Sequence, residues 1–350
     1  MATKHFLLAI FVLLLSFAPL NVSAVSPQCG EEITQCHNKE EALKMKIIAI
    51  AAILVMSMIG VCLPLFSHMV PALQPDKNLF VVVKAFASGV ILATGYMHVL
   101  PDSFEDLTSE CLPERPWRKF PFTTFVAMLS AIVCMMVDSI SMSRYKKSFL
   151  RATGNGDLRN SAKIESAESA DIGHGREMKI EEGINTKEEQ LMKHRIVAKV
   201  LETGIVVHSV VIGLSMGSSE NPCTIRPLIA AICFHQLFEG MGLGGCILQA
   251  EFGSKMKVIM MFFFSCTTPF GIVLGIALSN VYEDNSPKSL IVEGLLNACS
   301  SGLLNYMALV DLLAAEFMGP KLQSNIKLQV WSYIAVLLGA GGMSVMAIWA

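Results

Sequence analysis

Eight apolar runs, each about 20 residues long, decide what this chain can become. They lie at 47–67, 79–100, 122–143, 196–217, 227–248, 258–279, 290–313 and 331–350. A helix rises about 1.5 Å per residue, so each run matches the roughly 30 Å of hydrocarbon in a bilayer. Inside that hydrocarbon every backbone N–H and C=O must find a partner within the protein, and for runs of this length the α-helix supplies it. Composition agrees, with 53% hydrophobic and 16% charged residues, where a soluble domain carries about a quarter charged. The expected fold class is an all-α integral membrane protein with eight transmembrane helices in contact with the lipid bilayer.

The polar segments set the organisation. Lys4 and His5 precede an apolar stretch at 6–17, and Val22-Ser23-Ala24 forms a small-x-small pattern. Residues 1–24 therefore read as a signal peptide, because that stretch is too short to span. The sequon Asn21-Val22-Ser23 would leave with it. Residues 25–46 follow as an extracellular N-terminal segment, 47–143 as helices 1–3, 144–195 as a cytoplasmic variable loop, and 196–350 as helices 4–8. The long loop carries eleven Lys and Arg residues, whereas the loop after the second run carries Asp102, Glu105, Asp106, Glu110 and Glu114. The positive-inside rule puts the long loop in the cytoplasm and, with eight spans, both termini outside. The export signal makes the plasma membrane the expected location. Low hydrophobicity and mixed charge make the long loop read as a disordered tether.

Some function classes drop out. A net charge of −2 without a basic block offers nothing to nucleic acid. An intramembrane metalloprotease would need HExxH on a helix, which is absent, and paired transmembrane aspartates with a GxGD-type motif are missing as well. An enzyme is not expected. Of ten cysteines, Cys62, Cys134, Cys233, Cys246, Cys266 and Cys299 lie in apolar runs and read as small packing residues. Cys29 and Cys36 fall in the exported segment and are placed to pair, and Cys111 and Cys223, in outer loops, could also pair. Connectivity is not fixed by spacing.

Chemistry concentrates where polar side chains interrupt the apolar runs. The fourth run holds His208 and Ser209, and the fifth holds His235, Gln236 and Glu239. A charged group at membrane depth costs about 2.5–3.5 kcal/mol even on the lenient insertion scale. His208 lies nine residues or so before the connection between these runs and His235 about nine after it, so both imidazoles sit about 13–15 Å below the surface. His235 and Glu239, four apart, share a helix face. Imidazole nitrogen with carboxylate, hydroxyl and amide oxygen is a ligand set for Zn²⁺ or Fe²⁺. The hypothesis is a metal site of His208, His235 and Glu239, with Ser209 and Gln236 as weaker oxygen donors. A lone membrane histidine is as readily a hydrogen-bonded packing residue; two at one depth beside a carboxylate weigh against that. Gly213, Gly240, Gly242, Gly244 and Gly245 permit close helix approach.

A second pair, His98 and Asp102, stands four residues apart near the outer end of the second run. With Glu105 and Asp106 it forms an acidic mouth that concentrates cations. Lys84, near the inner end of the same run, reads as a snorkelling side chain. Asp138, Lys199, Glu202, Glu293 and Asp311 lie toward span ends, and Glu202 shares a face with Ser209 in a position to line an inner exit.

HSVVIGLSMG at 208–217, FHQLFEGMGLGG at 234–245 and GVILATGYMHVLPDSF at 89–104 resemble signatures of the ZIP (Zrt-, Irt-like protein) transporters in their plant and fungal branch. The resemblance covers essentially the whole chain after the signal peptide. It implies movement of zinc, iron or related divalent cations toward the cytoplasm, with the metal as substrate and no cofactor. It also implies a 3+2+3 helix arrangement, elevator-like alternating access, a homodimer, and a site at His208, Ser209, His235, Gln236 and Glu239. Two departures matter. Ile212 stands where members with two metals carry a glutamate, and Thr268 stands before Pro269 where they carry an acid. Both changes remove anionic ligands and favour one metal at a time. The loop holds only His174 and His194, so a metal-sensing role for it is not expected. Two alternatives remain at this level: a sensor or receptor on the same helices that binds metal without moving it, and transport in the export direction.

Overall fold

The computed structural model describes residues 38–65, 77–161, 174–278 and 287–347. The signal peptide, Cys29 and Cys36 lie outside the described residues. Eight helices are long and apolar enough to cross a membrane: α1 (Lys39–Leu65), α2 (Asn78–Thr108), α3 (Phe122–Ser161), α4 (His174–Ser218), α5 (Pro222–Gln249), α6 (Ser254–Leu278), α7 (Pro287–Phe317) and α8 (Ile326–Met346). No strand occurs among the described residues. The segment expected as a disordered tether is helical at both ends, because α3 continues to Ser161 and α4 begins at His174. The α4 extension is rich in Arg, Lys, Glu, Leu and Met, the good helix formers, whereas the α3 extension carries Lys146, Lys147, Leu150 and Arg151 ahead of Gly154 and Gly156; both prolong the spans that they flank.

Local sequence starts the helices where the chain enters the bilayer. The Asn38 carboxamide oxygen accepts from the Glu41 N–H at 3.1 Å ahead of α1. Asn221 accepts from Cys223 N–H at 3.0 Å, with Pro222 opening α5. Asn325 accepts from Leu328 N–H at 3.1 Å at α8. Each cap satisfies an orphan donor of the first turn. The helix starts and ends fall on two sides. On the terminal side lie the start of α1 and the end of α8, and there Lys39 pairs with Glu220 at 2.9 Å. On the loop side lie the end of α3 and the start of α4, and there Arg195 Nε donates to the Ala250 carbonyl at 3.0 Å.

The helices sort into two groups of four. The closest pairings are α1 with α5, α4 with α6, α2 with α8 and α3 with α7, and α1 also packs on α6. Glycines bring backbones together inside each group. A Cβ at Gly213 of α4 would stand 2.6 Å from the Thr268 carbonyl oxygen of α6, and one at Gly240 of α5 would stand 2.8 Å from the Val61 nitrogen of α1. Those helices therefore have no room for a side chain between them. Between the groups the glycines meet side chains rather than backbone: a Cβ at Gly245 of α5 would meet the tip of the Phe80 ring of α2 at 3.6 Å, one at Gly242 would meet Ile91 Cδ1 of α2 at 3.0 Å, and one at Gly204 of α4 would run into the tip of Met307 of α7. Gly213 thus serves α6 and Gly240 serves α1, rather than the α4–α5 hairpin. The pairings are unchanged when α1 and α6, α2 and α7, α3 and α8, and α4 and α5 exchange places.

Burial follows this plan. The most apolar stretches of α2, α5 and α7 are 67% buried, against 22% in α3 and 28% in α1 and α8. The peripheral helices turn large apolar side chains outward, among them Ile47, Ile48, Met128, Leu337 and Leu338, as a lipid-facing surface requires. On the loop side one apolar cluster joins both groups, with Val61, Leu201, Ile205, Leu243, Ile247 and Phe264 from one and Ile91, Leu304, Met307 and Leu312 from the other. On the terminal side each group has a core of its own. Ala49, Ile53, Met216, Ile232 and Ile272 form one, and Leu107, Val126, Leu290, Ile291 and Leu295 belong to the other. A smaller cluster of Val90, Ala93 and Met343 with Phe234 and Phe238 joins α2 and α8 to α5.

Two lysines depart from expectation. Lys84 does not snorkel: only 6% of it is exposed, and its Nζ donates to Glu316 Oε1 at 2.5 Å and to Gln249 Oε1 at 2.6 Å. A cation held by a carboxylate and an amide gains more than one stretched toward a distant surface. Lys46, buried near the start of α1, donates to the Gly217 carbonyl at 2.7 Å. There it meets one of the free carbonyls at the negative end of α4.

Candidate metal centre

Three histidines from three helices meet in the middle of the molecule. The His208 and His235 rings, on α4 and α5, have centres 5.7 Å apart. His98, on α2, brings its ring centre to 6.1 Å from that of His235. His235 is therefore the shared neighbour. Ser209, Gln236 and Glu239 are fully buried with His208 and His235, and His98 is buried too. Both ring nitrogens of His208 and of His235, the Ser209 hydroxyl, both amide atoms of Gln236 and both carboxylate oxygens of Glu239 make no hydrogen bond to another described residue. So many polar atoms stripped of water and left without protein partners are costly together, at about 1–3 kcal/mol each. Such a set is suited to hold an ion or the water that accompanies one.

The donors are gathered but not closed. Among the described residues no group of three or more His, Cys, Asp or Glu side chains already stands as a metal cage. Two imidazoles on one tetrahedral zinc have ring centres roughly 5 Å apart, given Zn–N bonds of about 2.0–2.1 Å. The two observed separations lie close to that value, so side-chain rotation covers most of the difference.

His98 is buried, whereas Asp102 is exposed, though close enough to feel the His98 charge. Thr94–Val99 is a π-helical segment whose backbone bonds run i to i+5 and end with Leu100 N–H on the Gly95 carbonyl, after which a regular α-helix continues. Ser103, five residues beyond His98, is buried and donates to the Gly294 carbonyl of α7 at 2.7 Å. Glu105 is exposed as well, and half-buried Asp106 faces Asn297 at 3.5 Å. Asp102 and Glu105 thus lie on the terminal side, beyond the ring of histidines. Ser301 of α7 donates to the Gly95 carbonyl inside the π segment at 2.9 Å.

Sequence reasoning passed over three further buried polar residues. Ser265 on α6, and Ser300 and Asn305 on α7, each carry a buried oxygen with no hydrogen-bond partner among the described residues, as does Thr268. Serine barely disturbs an apolar run, so Ser265 and Ser300 gave no signal. In α7 a signal existed: Asn297, Ser301 and Asn305 recur at intervals of four, a polar stripe on one face. Ile212 packs in the apolar cluster with Met216, Ile232 and Ile272. Cys111 and Cys223 are both disulfide-bonded, whereas the six cysteines within the helices are free.

Residues 43–347 match the ZIP Zinc transporter family. The chain is 58% identical over 342 residues to "Fe(2+) transport protein 1" of Oryza sativa subsp. japonica, covering 95% of this chain and 91% of that protein. It is 56% identical over 347 residues to "Fe(2+) transport protein 1" of Arabidopsis thaliana, covering 99% and 96%. It is 54% identical over 360 residues to "Zinc transporter 7" of Arabidopsis thaliana, covering 98% of each chain.

Proposed function

The chain belongs to the ZIP zinc transporter family, and from that premise we propose that it moves zinc or ferrous ions across a membrane through a site built on His208, His235 and Glu239. Ser209 and Gln236 add oxygen donors, and His98 approaches from the other group of helices. One observation carries the reading: imidazoles from two further helices stand within 6.1 Å of His235, and among the described residues nothing bonds Ser209, the Gln236 amide or the Glu239 carboxylate beside them. The metal is substrate. With nitrogen and oxygen donors and no thiolate, the set binds a borderline cation without trapping it. Ile212 sits among apolar side chains and Thr268 is uncharged, which supports one ion at a time.

The packing supports alternating access. Glycine contacts lock α1, α4, α5 and α6 into one body, and the seam to α2, α3, α7 and α8, where glycines meet side chains, is where bodies slide. His208, His235 and Glu239 ride on the first body and His98 belongs to the second. The pairing that survives exchange of α1–α3 with α6–α8, and of α4 with α5, supports the 3+2+3 arrangement. In the reading proposed here the loop side faces the cytoplasm and the terminal side the exterior of the plasma membrane. A core for each body on the terminal side, with only a smaller cluster joining them, and a large joint core on the loop side fit a conformation sealed toward the cytoplasm. The ion enters past exposed Asp102 and Glu105, whose charge raises the local cation concentration, and leaves when the loop-side cluster parts. A homodimer through the lipid-facing helices completes the proposal.

The test is radioactive zinc and iron flux into liposomes reconstituted with the purified protein and with His208→Ala, His235→Ala and Glu239→Ala. The parent should load the vesicles and each variant that inserts should lose at least about tenfold, the loss that perturbing a metal shell commonly brings. Parent protein that binds metal without flux would mark a sensor. Normal flux in all three variants would move the site elsewhere.

A further inference from the structure

We propose that Lys84, Glu316 and Gln249 form the loop-side latch of the transport cycle, the polar contact that must break before the ion can leave toward the loop side. The inference rests on the alternating-access reading above and adds the residues that gate one of its two openings.

The geometry is specific. Lys84 and Glu316 stand on α2 and α7, within one body, and Gln249 ends α5 in the other. Lys84 Nζ bonds both, at 2.5 Å to Glu316 and 2.6 Å to Gln249. The bond to Gln249 therefore crosses the seam. Glu316 also bonds the Gln249 side chain across the seam, whereas Lys46 to Gly217, Ser103 to Gly294, Ser130 to Cys299 and Ser301 to Gly95 are bonds within one body. Lys84 precedes His98 by fourteen residues and Gln249 follows His235 by fourteen, so the latch lies roughly 21 Å to the loop side of the histidines on both helices. Between latch and histidines stands the apolar cluster that joins the two bodies. Any motion that parts this cluster separates Gln249 from Lys84.

Glu316 gives the latch its strength. It keeps Lys84 charged in a buried place, and a charged donor makes the stronger hydrogen bond. When the bodies separate, Lys84 keeps its carboxylate and loses only the amide. The device can therefore open without leaving a bare buried charge, which would be prohibitive.

The experiment reports which side is open. Ala87 is fully buried on α2 one turn from Lys84 and faces Gly242 of α5, where a Cβ would meet the Ala87 Cβ at 3.8 Å. An Ala87→Cys protein is labelled with a membrane-impermeant maleimide in inside-out vesicles, and its zinc uptake from the terminal side is measured in parallel in right-side-out vesicles. Gln249→Leu removes the crossing acceptor and leaves the ion pair intact. It should raise the labelling rate and the apparent KM for zinc entering from the terminal side roughly tenfold, the bias expected when one charge-assisted bond is lost from one of two states. Maximal velocity should fall less than KM rises. The double variant Lys84→Met with Glu316→Met, which strands no charge, should behave like Gln249→Leu, and Lys84→Arg should restore parent values. Parent-like labelling and KM in both Gln249→Leu and the double variant, while the Ala87→Cys protein transports zinc, would overturn the latch alone. Absence of zinc flux in the Ala87→Cys protein and in the unsubstituted chain would overturn the transport reading and the latch with it.

Discussion

Gln236 gives the sharpest test of whether the central polar residues are held for an ion or for the fold. Its side chain is fully buried, and neither Nε2 nor Oε1 bonds another described residue. Leucine has nearly the same volume and no polar atom, so Gln236→Leu removes two desolvated groups without opening a cavity. Leaving a buried polar group unpaired costs about 1–3 kcal/mol, of which internal water recovers a part. The metal-free variant should therefore be more stable than the parent by about 1–3 kcal/mol. Zinc should reverse the order. An ion that binds only the folded state at a hundred times its Kd adds about 2.7 kcal/mol, and the variant, short of one oxygen donor, should gain less. Thermal unfolding in detergent, with chelator and then with zinc, reads both effects on the same preparations, and uptake should fall in parallel. The reasoning fails if Gln236→Leu melts below the parent in chelator, since the amide would then be part of the fold. It fails equally if zinc raises both proteins by the same amount.

Two further outcomes follow from the packing and from the split of the histidines between bodies. Gly213→Ala forces a Cβ to 2.6 Å from the Thr268 carbonyl oxygen and 2.9 Å from Gly271 Cα, so it should lower stability by about 1–3 kcal/mol and reduce the protein recovered in membranes; Gly253→Ala, which meets nothing within 4 Å, should match the parent. His98→Ala should slow zinc flux yet keep most of the zinc-induced rise in melting temperature, because His208 and His235 stand together on the other body, whereas His235→Ala should lose that rise; equal loss in both variants would refute the division.

The eight spans were legible because hydrocarbon leaves a chain little choice. Twenty apolar residues with no partner strand must close their hydrogen bonds as a helix, and 47–67 through 331–350 each correspond to a helix here. His208, His235 and Glu239 were visible for the same reason, as expensive groups in a cheap setting. What escaped notice depends on long-range pairing. Lys84 resembles any lysine near a span end until Glu316, 232 residues away, is seen beside it. The π segment at Thr94–Val99, which sets the register with which His98 arrives beside His235, has no signature in the sequence. Gly213 announces a close approach without naming the helix that approaches. The helical extensions of α3 and α4 were hidden by their charge, which reads as solubility whether or not the backbone is coiled.

The π segments inside α2 and α7 belong together. α2 and α7 are counterparts under the exchange that preserves the pairings, and each carries a π segment, Thr94–Val99 and Met307–Ala314. α2 packs on α5 and α7 on α4, the two helices that bear His235 and His208. A π turn changes which residues share a face and leaves backbone carbonyls loosely held, and Ser301 of α7 bonds such a carbonyl at Gly95 of α2. Helices that must present one face to two positions of a sliding partner benefit from a register that local hydrogen bonds do not hold rigidly. His98 owes its place beside His235 to one of these turns. A regular α-helix through 94–99 would rotate His98 and Ser103 together relative to the first half of α2, taking His98 from beside His235 and the Ser103 hydroxyl from the Gly294 carbonyl at once. The π turn therefore sets the register between the half of α2 that carries Lys84 and the half that carries His98.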